Sequence, residues 1–132
     1  MLKKSYKGFG IWMLVFTLGM VGLAFLPFEA HLMTRIVMNA CTMGVAALTL
    51  IIYLTEYIYW YNGTTYEAAL EAGPVRRKVF ALRHLKLFGG FAVLYLVVSV
   101  ILQITGVSIA WDIAIVTVGL VVVAFMSVPI KL

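Results

Sequence analysis

The sequence predicts an all-α integral membrane protein: a bundle of four transmembrane helices with a short helical cytoplasmic connection between helices 2 and 3. Three observations carry this expectation. Hydrophobic residues make up 64% of the chain and charged residues only 11%, where an ordinary soluble domain carries about 25% charged. Mean hydropathy is +1.10. The few charges gather in clumps between apolar runs of about 18 residues or more, the length that crosses a hydrocarbon layer. Such a composition excludes a soluble enzyme, a disordered tail and a nucleic-acid-binding domain.

The first span is expected over residues 9–26, preceded by Lys3, Lys4 and Lys7 and stopped by Pro27. Its apolar run is longer than the about 7–15 residues of a signal-peptide core and no clear A-x-A site follows, so it reads as a span. The second is expected over 36–59, starting after Arg35 and ending in the aromatic cluster Tyr57 to Tyr61. The third covers 87–104. The fourth covers 109–128 and is stopped by Pro129. Much of the fourth is β-branched (Ile113, Ile115, Val116, Val121, Val122, Val123). In hydrocarbon each backbone amide must be paired within its own segment, so helix prevails over strand propensity. All 132 residues are expected to form a single transmembrane domain.

Basic residues set the expected orientation. With the N-terminus cytoplasmic, that side carries Lys3, Lys4, Lys7, Arg76, Arg77, Lys78, Arg83, Lys86 and Lys131, and the opposite side keeps Arg35 alone. The bias places both termini in the cytoplasm, in a multi-pass protein of the plasma (inner) membrane. It also explains the net charge of +5 without a nucleic-acid partner.

Residues 62–86 are the expected cytoplasmic connection. Asn62-Gly63 is a turn pair, Thr64-Thr65-Tyr66-Glu67 has the spacing of a capping box, and Gly73-Pro74 is a helix stop. A helix of about two turns is expected from Thr65 to Ala72, and a second from Val75 into the third span. Basic side chains on the second helix would lie apart from Val75, Val79 and Leu82, which makes it a membrane-surface element. Arg76, Arg77, Lys78, Arg83 and Lys86 are therefore candidates for binding anionic lipid or a partner. Glu67 and Glu71, one turn apart, could fold back to neutralise part of that patch.

Few polar groups lie within the spans. Glu56, near the cytoplasmic end of the second, is expected to pair with a base from the Arg76–Lys86 stretch. In an alternative reading Glu56, Asp112 and Asn39 line an ion or substrate pathway. Asp112, in the first turn of the fourth helix, suits the helix macrodipole, or faces Arg35 at an outer mouth. Glu29, His31 and Arg35 are read as a solvated outer loop, too poor in ligands for a metal site. Ala40-x-x-x-Gly44, Ala110-x-x-x-Ala114, Gly19 and Gly22 are candidate close-packing positions. Tyr57, Tyr59, Trp60 and Tyr61 suit an aromatic belt. Cys41 is the single cysteine, so no intramolecular disulfide is expected.

No catalytic motif and no cofactor site is legible. The expected function is non-enzymatic: accessory, regulatory or immunity-like, acting through helix–helix contact and through contact with lipid or protein. The expected partners are membrane lipids, anionic ones among them, and a second copy or another membrane protein. The alternative is a small oligomeric channel or transporter using Glu56 or Asp112.

Overall fold

A computed structural model describes residues 2–132. The described chain is all-helical, with four α-helices and no strand: α1 (Lys7–Leu23), α2 (Ala30–Thr55), α3 (Tyr66–Ile104) and α4 (Ile109–Ser127), with a 3-10 turn at Ile58–Trp60. The helices α2, α3 and α4 are long and apolar enough to cross a membrane, while α1 is a shorter apolar helix of 17 residues. Most large apolar side chains on these helices point outward, among them Leu14, Leu54, Val97, Ile101 and Val118.

The antiparallel pair α2–α3 is the frame, and α4 packs back on both after the tight turn at Gly106. The helix α1 buries no residue and touches α2. It makes that contact through an aromatic ladder in which Phe9 stacks on Trp12 at 6.1 Å and Trp12 on Phe16 at 5.3 Å. Phe16 lies directly on Gly44, where any Cβ would overlap its ring, so Gly44 does permit close approach. Gly19 and Gly22 face open space instead, and Ala110 and Ala114 are exposed.

Helix boundaries differ from the sequence expectation at the end of α1, which stops at Leu23 and not at 26, and at both ends of α2. The helix α2 begins at Ala30, so Arg35 lies inside it and is buried. It ends at Thr55, because Glu56 takes the left-handed conformation at φ 61°, and residues 57–61 form a turn. The aromatic cluster therefore clamps the N-terminal segment. Tyr59 Oη accepts from the Ser5 amide at 2.8 Å, Trp60 Nε1 donates to the Ser5 carbonyl at 3.0 Å, and Tyr66 Oη donates to the Leu2 carbonyl at 2.8 Å. Buried phenol and indole groups need such partners. Ile52, Ile58, Tyr59, Ala69, Phe80 and Ala81 form the core beneath this clamp.

The connection folds into two helical stretches separated at Gly73, whose φ 72° and ψ 168° are non-helical. Thr65, one position later than the capping-box spacing implies, caps the first by accepting from the Ala68 amide at 3.1 Å. Its Glu67 carboxyl is held below the usual range by a hydrogen bond to its own amide and, more weakly, by Thr65 and Lys4. Glu67 and Glu71 make no ion pair among the described residues. The second stretch turns Arg77, Phe80, Ala81 and His84 inward and leaves Val75 and Val79 exposed. Arg77 and His84 turn inward because Glu56 and the aromatic core lie on that side, while Arg76, Lys78, Arg83 and Lys86 stay exposed together with Val75 and Val79.

Gly73 occupies a region that side chains with a Cβ adopt at a cost of about 1–3 kcal/mol. Gly73→Ala is expected to lower the thermal unfolding midpoint, measured by circular dichroism on the purified protein, although its Cβ would meet no neighbour.

Candidate functional site

The most concentrated polar site joins α2, α3 and α4 near the α3–α4 turn. Asp112 stands in the first turn of α4 and is 0% exposed. Its Oδ2 accepts from Arg35 Nε at 2.9 Å and its Oδ1 from Tyr95 Oη at 3.2 Å. The Arg35 guanidinium donates further to Gln103 Oε1 and, at 2.6 Å, to the Val107 carbonyl. One cation thereby ties three chain segments together. Below it, Asn39 Nδ2 donates to the Arg35 carbonyl at 2.9 Å and to Ser99 Oγ at 2.8 Å, while Asn39 Oδ1 is buried without a partner.

The sequence placed Arg35 in a solvated loop with Glu29 and His31. The structure divides that cluster: His31 and Glu29 form an exposed contact at 3.5 Å, and Arg35 turns inward to Asp112. The reading of Asp112 facing Arg35 gives the observed geometry. Tyr95, Ser99 and Gln103 were not singled out from the sequence. Their spacing of four residues was the available signal, since it puts three hydrogen-bonding groups on one stripe of α3.

Two cavities meet at Arg35 and Gln103. A lateral groove between α2 and α3, of about 320 Å³, is almost wholly apolar in its lining. A smaller cavity of about 260 Å³ lies toward the turn, beside His31, Gly106 and Ser108. The guanidinium lines both, with one N–H of each of its nitrogens donated to Asp112, Gln103 and Val107.

At the other end of the frame, Glu56 Oε2 accepts from Arg77 Nε at 3.0 Å and from Nη2 at 2.8 Å, and Arg77 Nη1 donates to the Ala69 carbonyl at 3.1 Å. The structure therefore joins Glu56 to a base of the Arg76–Lys86 stretch. This withdraws Arg77 from the exposed basic set, because its guanidinium is buried and committed. Arg76 Nη2 donates to the Leu132 carbonyl at 2.7 Å, Lys78 Nζ lies 5.9 Å from the centre of the Tyr53 ring, and Arg83 and Lys86 are exposed.

A third buried group is His84, stacked on Tyr61 at 4.3 Å, with Nδ1 3.0 Å from the Phe80 carbonyl. Burial holds the His84 imidazole below its ordinary pKa, opposed by that carbonyl. Burial also pushes the Tyr61 phenol up. Among the described residues no three His, Cys, Asp or Glu side chains come together to hold a metal. Compared with known proteins, the chain matches no family model, no curated protein and no solved structure.

Removing one member of a buried ion pair leaves the other charge uncompensated, at a cost of about 3–5 kcal/mol, whereas replacing both by apolar groups is often neutral. Asp112→Ala is therefore expected to lower the unfolding midpoint sharply, and Arg35→Met with Asp112→Leu to recover most of the loss. Additive destabilisation in that double-mutant cycle would contradict the coupling. For His84 the sign follows from its lowered pKa. Unfolded chains take up a proton near pH 6.5 and the folded site resists it. Stability is expected to fall as pH drops through 6.5 and to level off below the folded pKa. His84→Gln is expected to flatten this part of the profile in a chemical-denaturation series.

Proposed function

We propose that the chain is a small multi-pass integral membrane protein that acts through helix–helix contacts and through contacts with lipid or protein, as an accessory or regulatory component, without enzymatic activity. The observation that carries this reading is the disposition of charge. The buried charged side chains, Arg35 with Asp112 and Arg77 with the largely buried Glu56, are closed into ion pairs, while the long helices present large apolar side chains outward. Outward apolar surface on that scale suits hydrocarbon and neighbouring helices. In this reading α1 completes a set of four spans, since 17 residues is the short end of the spanning range. Both termini are cytoplasmic by the positive-inside bias, in the plasma (inner) membrane.

The exposed bases Arg76, Lys78, Arg83 and Lys86 then form the anionic-lipid surface, with Arg77 serving the fold. The outward Val75 and Val79 would let this stretch sit against the acyl boundary.

A second reading, a small oligomeric channel or transporter, draws on one feature: the Arg35–Asp112 network borders two cavities and includes the unpartnered Asn39 Oδ1. Its pathway would use Asp112 and Asn39. Glu56 would enter it only by releasing Arg77.

Membrane fractions washed with alkaline carbonate are expected to retain the chain, and reporters fused to either terminus to be active only in cytoplasmic format. Lys78→Gln with Arg83→Gln and Lys86→Gln is expected to reduce bound anionic lipid severalfold in native mass spectrometry, with topology kept by Lys3, Lys4 and Lys7. Unchanged lipid retention would remove the lipid role. Ion or solute flux in vesicles that is abolished by Asp112→Asn in a folded protein would favour the channel reading.

A further inference from the structure

The threonines of α2 return their hydroxyls to carbonyls of their own helix. Thr34 donates to Ala30 at 2.8 Å, Thr42 to Asn39 at 3.0 Å, Thr49 to Ala46 at 2.8 Å and Thr55 to Ile51 at 2.7 Å. Thr117, exposed on the outward face of α4, makes no hydrogen bond within the described chain. Asn39 Oδ1 is its complement, a buried acceptor with no donor, on a residue that lines the groove between α2 and α3. An unpaired amide oxygen away from water costs free energy, and inside hydrocarbon neither water nor a headgroup is at hand to pair it.

We propose that α4 of one copy docks in the α2–α3 groove of a second copy, with the Thr117 hydroxyl donating to Asn39 Oδ1. The inference rests on the membrane reading above. Depth selects the donor. The Arg35–Asp112 pair fixes the register of α2 against α4. Asn39 lies four residues beyond Arg35 and Thr117 five beyond Asp112, or about 6 Å and about 7.5 Å along helices that run in the same direction. Copies sharing one orientation in a bilayer thus bring the two groups to one level. Thr17, the other exposed helix threonine without a bond, is deeper: Phe16 beside it rests on Gly44, five residues past Asn39.

Shape agrees with depth. Ala110, Ala114, Thr117, Val121 and Ala124 recur at helical spacing on the exposed face of α4. Small side chains there let its backbone come close. The receiving groove is bordered by the larger Leu32, Ile36, Leu96, Val100 and Ile104. Asn39 Oδ1 lies beneath the groove surface, so these border side chains part as the hydroxyl reaches it. A symmetric Asn39–Asn39 contact is unsuited, because both donor positions of Asn39 are committed to Arg35 and Ser99. The contact therefore joins two different surfaces of the molecule.

The test uses the full chain in phosphatidylcholine vesicles, with self-association followed by dilution in lipid. Thr117→Val keeps shape and removes the hydroxyl. It is expected to weaken association about three- to tenfold, the range of interhelical hydrogen bonds in membranes, with the single chain's unfolding midpoint unchanged. Thr17→Val is expected to have no effect. In a Cys41→Ser background, a chain carrying Ala114→Cys is expected to cross-link to one carrying Val100→Cys and not to one carrying Val15→Cys. A chain that stays in the membrane but remains monomeric, with lipid or another protein in the groove, would overturn the docking alone. So would unchanged association of Thr117→Val. Release of the chain by alkaline carbonate would instead overturn the membrane reading beneath it.

Discussion

The Arg35 guanidinium is bonded to α4 through Asp112, to α3 through Gln103 and to the connecting turn through Val107. The helices α2, α3 and α4 offer few other directional contacts, because their surfaces are dominated by interchangeable apolar side chains. Dispersion and burial hold such helices together without specifying rotation or axial position, whereas a fully buried cation accepts few arrangements of its partners. Where α4 lies against α2, and hence where every other residue of α4 falls, follows from that pair. Tyr95 and Asn39 extend the constraint inward by bonding to Asp112 and to the Arg35 carbonyl.

Glu56 and Arg77 do comparable work at the opposite end under different backbone conditions. Glu56 ends α2 in a left-handed conformation that a residue with a side chain adopts at some cost. The turn it makes brings Ile58 and Tyr59 back under α3 and puts its own carboxylate in front of Arg77. Local strain and a specific ion pair are thus two aspects of one residue. The break at Gly73 serves the same junction, since it leaves residues 66–72 beside the N-terminal segment while the following helix turns Arg77 inward.

The all-helical class, the turn near Gly106, the division at Gly73 and the pairing of Glu56 with a base of the connection were legible because each depends on local pattern or on the cost of a lone charge. The end of α2 was not. Apart from Glu56, Thr55 to Trp60 continues the span without a glycine or proline, and a glutamate carries no signal for a left-handed backbone. Arg35 was misplaced for a related reason. A charge at the edge of an apolar run looks like a boundary, and only the position of Asp112, 77 residues away, shows that it is interior. The inward turn of Arg77 and His84 was not separable from the exposed bases in the sequence, because it depends on the Glu56 carboxylate and the Tyr61 ring that other segments bring to that face. Tyr95, Ser99 and Gln103 were missed because each polar group was weighed singly and not as a stripe.

The separation of the paired residues along the chain also bears on biosynthesis. Arg77 follows Glu56 by 21 residues, so this pair can close soon after the turn leaves the ribosome. Arg35 must wait 77 residues for Asp112. At about 5–20 residues per second that interval is on the order of 4–15 s. For most of it a strongly basic side chain on a nascent apolar helix has neither Asp112 nor Gln103 to bond, since Gln103 is made only nine residues before Asp112. The helix α2 cannot settle into its final burial until the last quarter of the chain has been made, so assembly of the bundle is timed by its C-terminal helix.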